Sequence, residues 1–371
     1  MGSTCVPSVG PGAPRLSRGS ARATVSRVST KPFIAARIEE FLDRRLEALF
    51  RAMGWREQVI PYIGYGASGF VRVMARVVLA PQWSRGQLAR ATKEFVKRRG
   101  WRSFVTAPCV RAKVTLTLGD RSVTVLSDRG GYLDHRITPH ALGPGWHKVT
   151  AQTAQSEPVE CDVRIIGDEV RFGLISDIDD TVLTTWLPRP MIAAWNSFVR
   201  DESNRQSIPG MARFYQQFMD AHPGAAMVYL STGAWNAYDF LNRFLTVHHY
   251  PKAALLLTDW GPTNTGWFRS GMEHKRTSLL RLAADFPQLK WLLVGDDGQH
   301  DPEIYAEFAN SHPTHVAAVA IRQLSPTEQV LAHGTNMPLD EPEDLTDDDD
   351  TWVEAPDGRG LAAQLKPLLD G

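Results

Sequence analysis

The sequence predicts an α/β protein in two parts: a small antiparallel β-sandwich, then a parallel sheet with helices on both faces. Three observations predict it. Apolar and polar residues alternate at period two over 56–167, as strands with one buried face require. From 168 onward short apolar runs alternate with segments of helical periodicity, the signature of a parallel sheet with crossover helices. One of those runs, Leu174-Ile175-Ser176, ends in Asp177-Ile178-Asp179-Asp180-Thr181. Buried strands carry three carboxylates only at their ends and in cationic company.

Composition sets the outer bounds. The 371 residues suffice for two cores, and 43% apolar with 22% charged residues is ordinary globular usage. With 41 basic against 41 acidic residues there is no overall electrostatic pull toward nucleic acid, so none is expected as a partner. Three cysteines, Cys5, Cys109 and Cys161, are too few and scattered for a disulfide framework or a cysteine zinc site, which fits a reducing cytoplasm. No run of eighteen apolar residues predicts a transmembrane segment, so work at a membrane would be peripheral.

In chain order, residues 1–31 read as a disordered basic tail, the first 38 residues holding six basic groups and no acidic one. A transit peptide is the other reading, and the continuous apolar segment of a signal peptide is missing. Residues 32–55 follow as an amphipathic helix, with Ile38, Phe41, Leu42, Leu46, Leu49 and Phe50 at helical spacing. Tyr62-Ile63-Gly64-Tyr65-Gly66 reads as a break before the strand Val71–Val77. Val114, Leu116 and Leu118 turn at Gly119-Asp120 into Val123 and Val125, a hairpin signature. Residues 56–167 therefore form the sandwich, either a recognition module for lipid, sugar or protein or a structural or regulatory appendage.

Residues 168–335 form the parallel sheet. Its expected strands are 170–176, 226–230, 253–257, 289–294 and 316–321. The intervening helices are expected from Met211, over 238–247, from Lys275 to Phe286, and over 302–310. Residues 336–371 read as an acidic tail, with eight acidic residues among the eleven from Asp340 to Asp350, and a short helix within 361–369.

The site should collect beyond the carboxyl ends of these parallel strands. Asp177 offers a carboxylate able to attack phosphorus, Asp179 one able to pass a proton, and Thr181 a hydroxyl for a phosphate oxygen. Asp177 and Asp179 face one side if strand geometry persists that far. A calcium-type loop is the alternative for this stretch. Ser231-Thr232-Gly233 ends the strand 226–230 and can bind phosphate oxygens, though it also suits a plain strand-to-helix turn. Lys275 can neutralise both the attacking carboxylate and the phosphate. Asp296, Asp297 and Asp301 form a second acidic strand end, and carboxylates from two strands favour magnesium over zinc, since His300 lacks a second well-placed histidine or cysteine.

The order Asp-x-Asp-x-Thr, strand-end Ser, Lys and Gly-Asp-Asp-x-x-x-Asp resembles the four motifs of the haloacid dehalogenase superfamily of phosphohydrolases. More narrowly, Ser176–Thr181, Leu230–Asn236, Asp259-Trp260-Gly261, Glu273-His274-Lys275 and Gly295–Tyr305 resemble the actin-patch-protein type of phosphatidate phosphatase catalytic domain, over about 170–325. The resemblance implies a Rossmannoid fold of the superfamily and a magnesium-dependent phosphatidate phosphatase yielding diacylglycerol and phosphate. It implies Asp177 as nucleophile, Asp179 as general acid and base, and Lys275 as the charge neutralising the aspartyl-phosphate. Thr181, Ser231, Thr232 and Lys275 would bind phosphate. The metal set would be drawn from Asp177, Asp179, Asp296, Asp297 and Asp301. Asp297 stands where the family commonly has a serine, so Asp296, Asp297 and Asp301 compete for the last metal position.

A phospholipid at a membrane surface is the implied partner. Trp186, Leu187, Met191, Ile192, Trp195 and Phe198, with Arg189 and Arg200, could dip into an interface, cap the site, or pack on their own domain. Trp260, Trp267, Phe268 and Arg269 form a second candidate rim. Two other readings remain: a phosphatase of this superfamily for another lipid or soluble phosphomonoester, and a membrane or protein adaptor with a vestigial site.

Overall fold

The structure, a computed structural model, describes residues 45, 47–81, 107–184, 206–258, 267–333 and 351–370. The expected basic tail, most of the helix expected over 32–55, the aromatic insertion 186–200, Trp260 and the acidic run 340–350 lie outside them. The side chains of Trp267, Phe268 and Arg269 do so too.

The first sheet, sheet A, contains β1 (Arg56–Ala67), β2 (Phe70–Ala80), β3 (Ala107–Pro108), β4 (Lys113–Leu118), β5 (Arg121–Leu126), β6 (Tyr132–Ile137), β7 (Gly145–Thr153) and β8 (Val159–Ile165). Its hydrogen-bonded order is β3-β2-β1-β8-β7-β4-β5, with β6 also on β2. Alternating burial in β4 and β8 sends Val114, Leu116, Cys161 and Val163 inward, where they meet Val73, Val77 and Val149 in one apolar cluster. The hairpin expected at Gly119-Asp120 joins β4 to β5, pairing Leu118 with Arg121.

Sheet A departs from the sequence expectation twice. It is mixed, because β1 and β8 run parallel from Gly64↔Val163 to Gly66↔Ile165 while its other pairs are antiparallel. And Tyr62–Gly66 does not break the chain but lies inside β1, where the register slips between Tyr62 and Tyr65. The glycines are there for close approach. A Cβ at Gly64 would lie 2.2 Å from the Arg72 carbonyl oxygen, and one at Gly66 2.3 Å from that of Phe70.

The second sheet, sheet B, contains β9 (Phe172–Ser176), β10 (Ala226–Ala234), β11 (Ala254–Thr258), β12 (Lys290–Asp296), β13 (Val316–Arg322) and β14 (Trp352–Ala355). Its order is β11-β10-β9-β12-β13-β14, with every pair parallel. Helices α1 (Met211–Ala221), α2 (Tyr238–Val247), α3 (Trp267–Asp285), α4 (Asp301–Ser311), α5 (Pro326–His333), α6 (Gly358–Gln364) and α7 (Lys366–Leu369) intervene or follow. The inner strands are buried almost without alternation, as strands covered on both faces must be.

Three details of sheet B escaped the sequence reading. Helix α3 begins at Trp267, so Lys275 lies well inside it rather than at its start. Nothing at Gly271 or Met272 stops a helix, because a lone glycine costs only about 1 kcal/mol. β14 extends the sheet from within the expected acidic tail, and four residues are too short for periodicity to reveal. β9 stops at Ser176, so strand geometry does not persist to Asp179.

Tyr62, Ile63, Tyr65, Phe70 and Met74 of sheet A share one apolar core with the inner strands of sheet B. At roughly 2 kcal/mol for each fully buried large apolar side chain, these five contribute substantially to joining the sheets.

Candidate active site

Register brings the site together. β9 lies between β10 and β12, with Ser176 level with Tyr229 on one side and Val294 on the other. The next residues out along the three strands are Asp177, Leu230-Ser231 and Gly295-Asp296. The Asp177 amide still donates to the Val294 carbonyl at 2.8 Å, continuing the ladder by one residue.

Beyond Asp177 the backbone turns sharply. Asp180 adopts a left-handed φ of 56°, unusual for a residue other than glycine and a costly conformation unless its surroundings hold it. Its amide donates to Leu183 O at 2.8 Å, and its carbonyl accepts from Arg322 Nη1 at 2.7 Å. The buried Arg322 guanidinium also holds Glu328 at 2.7 Å and the Pro356 carbonyl at 3.2 Å. This turn, not strand alternation, returns Asp179 to the site, where its Oδ2 accepts from Ser231 Oγ at 3.1 Å.

Asp177, Asp296 and Asp301 each present a carboxylate oxygen within 4.8 Å of the others, and all three are buried. Lys275, 2% exposed, places Nζ 2.7 Å from Asp177 Oδ1 and also donates to Asp301 Oδ1. Asp296 accepts from the Gly298 amide at 2.9 Å and, weakly, from Thr181 Oγ1 at 3.4 Å. Asp177 Oδ2 and Asp301 Oδ2 are buried without a hydrogen-bond partner. Gly295 makes this closeness possible, since a Cβ there would lie 2.6 Å from Asp301 Oδ2.

Charge in this cluster does not balance: three carboxylates face one ammonium. Burial pushes the Asp177 carboxyl well above the usual range, with Lys275 opposing and Asp301 and Asp179 adding to the rise. Burial likewise raises Asp296, reinforced by Asp301 and Asp177. Burial alone would discharge Lys275, but Asp177 and Asp301 outweigh it and hold the ammonium above the ordinary lysine range. Buried oxygens with no donor, in a set of hard carboxylate ligands with excess negative charge, fit a divalent cation of the magnesium type.

The structure assembles most of the expected residues and separates one. Asp177, Thr181, Lys275, Asp296 and Asp301 are linked by these contacts, and Asp179 and Ser231 pair with each other. Thr232 follows Ser231 on β10 and is half-buried, its carbonyl accepting from Thr258 Oγ1 at 2.9 Å. Asp179 meets Ser231 rather than joining the three-carboxylate cluster. Asp297 is the residue set apart. Its Oδ1 accepts from the Leu324 amide at 2.8 Å, and its amide donates to Arg322 O at 3.1 Å. Burial raises its carboxyl to about 6. One position past Asp296, its side chain is committed to the loop after β13, outside the cluster.

Arg322 is a participant that the sequence reading missed, and Gly295, quoted there only within a motif, is one whose role it left unassigned. An arginine closing the apolar run Val316–Ile321, and a glycine between Val294 and Asp296, were the available signals. Tyr215 is a third: its hydroxyl lies 2.6 Å from Ser176 Oγ, beneath Asp177.

Residues 172–323 match the family model described as the catalytic domain of phosphatidate phosphatase APP1. An uncharacterized protein of Schizosaccharomyces pombe is 26% identical over 284 residues, 70% of this chain and 46% of its own length. The Saccharomyces cerevisiae phosphatidate phosphatase APP1 is 28% identical over 152 residues, 41% of this chain and 26% of its own. The chain thus spans less than half the length of these curated relatives. Among solved structures, the HAD domain of the Legionella pneumophila effector Lem4 aligns at 17% identity and a TM-score of 0.29, covering 42% of this chain and 87% of that one.

Proposed function

We propose, from the match of residues 172–323 to the family model of the phosphatidate phosphatase APP1 catalytic domain, that the chain is a magnesium-dependent phosphatidate phosphatase that works through an aspartyl-phosphate. The observation that carries the reading is the pairing of orphaned Asp177 Oδ2 with Lys275 on Oδ1. One oxygen is held and the other has no partner, which is what an attacking carboxylate requires.

In this reading Asp177 Oδ2 forms a bond to phosphorus as the bond to the glycerol oxygen breaks. Asp179 gives its proton to that departing oxygen, then takes one from the water that hydrolyses the aspartyl-phosphate. Ser231, Thr181 and Thr232 orient the phosphate oxygens, and the Lys275 ammonium stays beside the nucleophile through both halves. Asp177, Asp296 and Asp301 would hold the magnesium ion. When bound, it supplies positive charge to the carboxylate and the phosphate oxygens.

A lipid substrate calls for work at a membrane surface. Among the described residues no helix is long and apolar enough to cross a bilayer. The two-domain division at 167/168, a cytoplasmic or peripheral location and the aromatic rim at 186–200 belong to this proposal.

The test is phosphate release from phosphatidate liposomes and from a soluble phosphomonoester panel, with and without magnesium, using Asp177→Asn as control. Magnesium-stimulated release from liposomes by the wild type alone is expected. Turnover of soluble esters with indifference to liposomes would replace the lipid with another phosphomonoester. No release from either would leave an adaptor with a vestigial site.

A further inference from the structure

The elements carrying the phosphate-binding residues extend toward sheet A, and one strand of that sheet meets both. We infer that β1 is a brace that positions the Ser231 end of β10 and the Lys275 helix, so that sheet A is a working part of the site rather than an appendage.

The first contact is aromatic. Tyr62 stacks on Trp235 with ring centroids 4.5 Å apart and planes 15° from parallel, and lies 4.3 Å from the Tyr238 ring. The adjacent Ile63 amide donates to the Tyr238 hydroxyl at 2.9 Å. Trp235 directly follows β10, four residues after Ser231, so the stack fixes the segment that leaves the strand. That end of β10 is irregular, its register slipping between Leu230 and Ala234 and its Gly233 amide donating back to Ser231 Oγ at 2.9 Å.

The second contact is polar. The Tyr65 hydroxyl donates to Asp285 Oδ2 at 3.1 Å and accepts from Arg72 Nη1 at 2.7 Å. Arg136 of β6 holds Asp285 Oδ1 at 2.5 Å. Asp285 is the last residue of α3, the helix that carries Lys275. Its register along the site is therefore tied to sheet A at its far end.

The register slip in β1 makes both contacts possible. Regular alternation would turn every second residue to the opposite face, whereas Tyr62 through Ala67 are buried without a gap. Tyr62, Ile63 and Tyr65 can then all face the second sheet. Placement matters chemically, because displacing a binding group by about 1 Å can cost on the order of a hundredfold in rate.

The catalytic consequence rests on the proposed phosphatase activity; the mechanical one does not. The experiment therefore reads both in the full chain, comparing wild type with Tyr62→Leu, Tyr62→Phe and Tyr65→Phe. Amide hydrogen exchange is followed over 231–237, 272–285 and, as an internal reference, 291–294. Tyr62→Leu should speed exchange over 231–237 by about tenfold and lower phosphate release by a similar factor, with 291–294 unchanged. Tyr62→Phe, which keeps the ring, should restore both. Tyr65→Phe should speed exchange toward the end of α3, and it decides the question if Tyr62→Leu does not accumulate as folded protein. Unchanged exchange over 231–237 and 272–285, or a rise shared equally by 291–294, would overturn the brace. A wild type that releases no phosphate would remove the proposed activity while the exchange comparison still decides the brace.

Discussion

Two of the places where the protein buries charge resolve it in opposite ways. Around Arg72 in sheet A, the guanidinium donates to both Asp134 oxygens and to Tyr65, and Tyr65 and Arg136 satisfy Asp285. Around Lys275 at the end of sheet B, one ammonium serves two of three carboxylates and leaves two buried oxygens without donors. Satisfied buried charge holds parts together. Unsatisfied buried charge, in a protein that could have avoided it, marks a place where something else binds.

The comparison breaks first, and by the largest margin, at Asp177. Asp177→Asn should lower phosphate release by about ten-thousandfold or more, as nucleophile deletions do, while raising magnesium-free stability by about 1 kcal/mol as one competing negative charge disappears. Steady-state assays and urea unfolding would check the two halves. A variant that loses stability instead would place this cluster with Arg72 as a structural ion pair.

Arg72→Met should do the reverse. Losing its bonds to half-exposed Asp134 and to Tyr65 should cost about 1–3 kcal/mol, visible as a lower urea midpoint. The midpoint of magnesium binding should stay in place, because the proposed ligands Asp177, Asp296 and Asp301 follow β9, end β12 and begin α4.

Magnesium itself should stabilise the wild type by about 2.7 kcal/mol at a hundredfold excess over its dissociation constant. Thermal shift across a magnesium titration would read this. Asp301→Asn should move the titration midpoint upward by about tenfold, the low end for losing a ligand or its support, and Asp297→Asn by less than about twofold. Equal shifts would return Asp297 to the metal shell.

The smallest effect sharpens the contrast with a third kind of buried group. His274 donates from Nε2 to the Leu256 carbonyl at 3.3 Å, and burial lowers its pKa to about 4. It solves burial by staying neutral. Its folded pKa is depressed, so the unfolded chain takes up the proton first as pH falls below about 6.5. The His274 contribution is thus whole above that pH and is lost as pH falls toward 4. Unfolding measured between pH 7 and 4 should show a shallower acid limb in His274→Gln.

Much of the site was legible because its chemistry is local to strand ends. Asp177, Ser231 and Asp296 each close an apolar run, and residues closing adjacent parallel strands become neighbours whatever the loops do. Asp179 was legible as a participant but not in its route, since it arrives through the left-handed turn at Asp180 rather than along β9. Asp297 and Asp301 were equivalent in the sequence. Helix α4 begins at Asp301 and turns its carboxylate onto Lys275, while Asp297 is drawn to Leu324.

By itself the sequence determined the alternation of strand and helix from 168 onward, the period-two strands before it, and the residue types at each strand end. Hydrophobic periodicity and backbone sterics act over a few residues and are written in the chain directly. Only the tertiary structure decided that β1 and β8 run parallel, that Arg322 holds the Asp180 turn, and that Tyr62 and Tyr65 reach across to Trp235 and Asp285. Those contacts join residues from 99 to 220 positions apart. No local pattern encodes which partners meet, because that choice depends on how two sheets share one core.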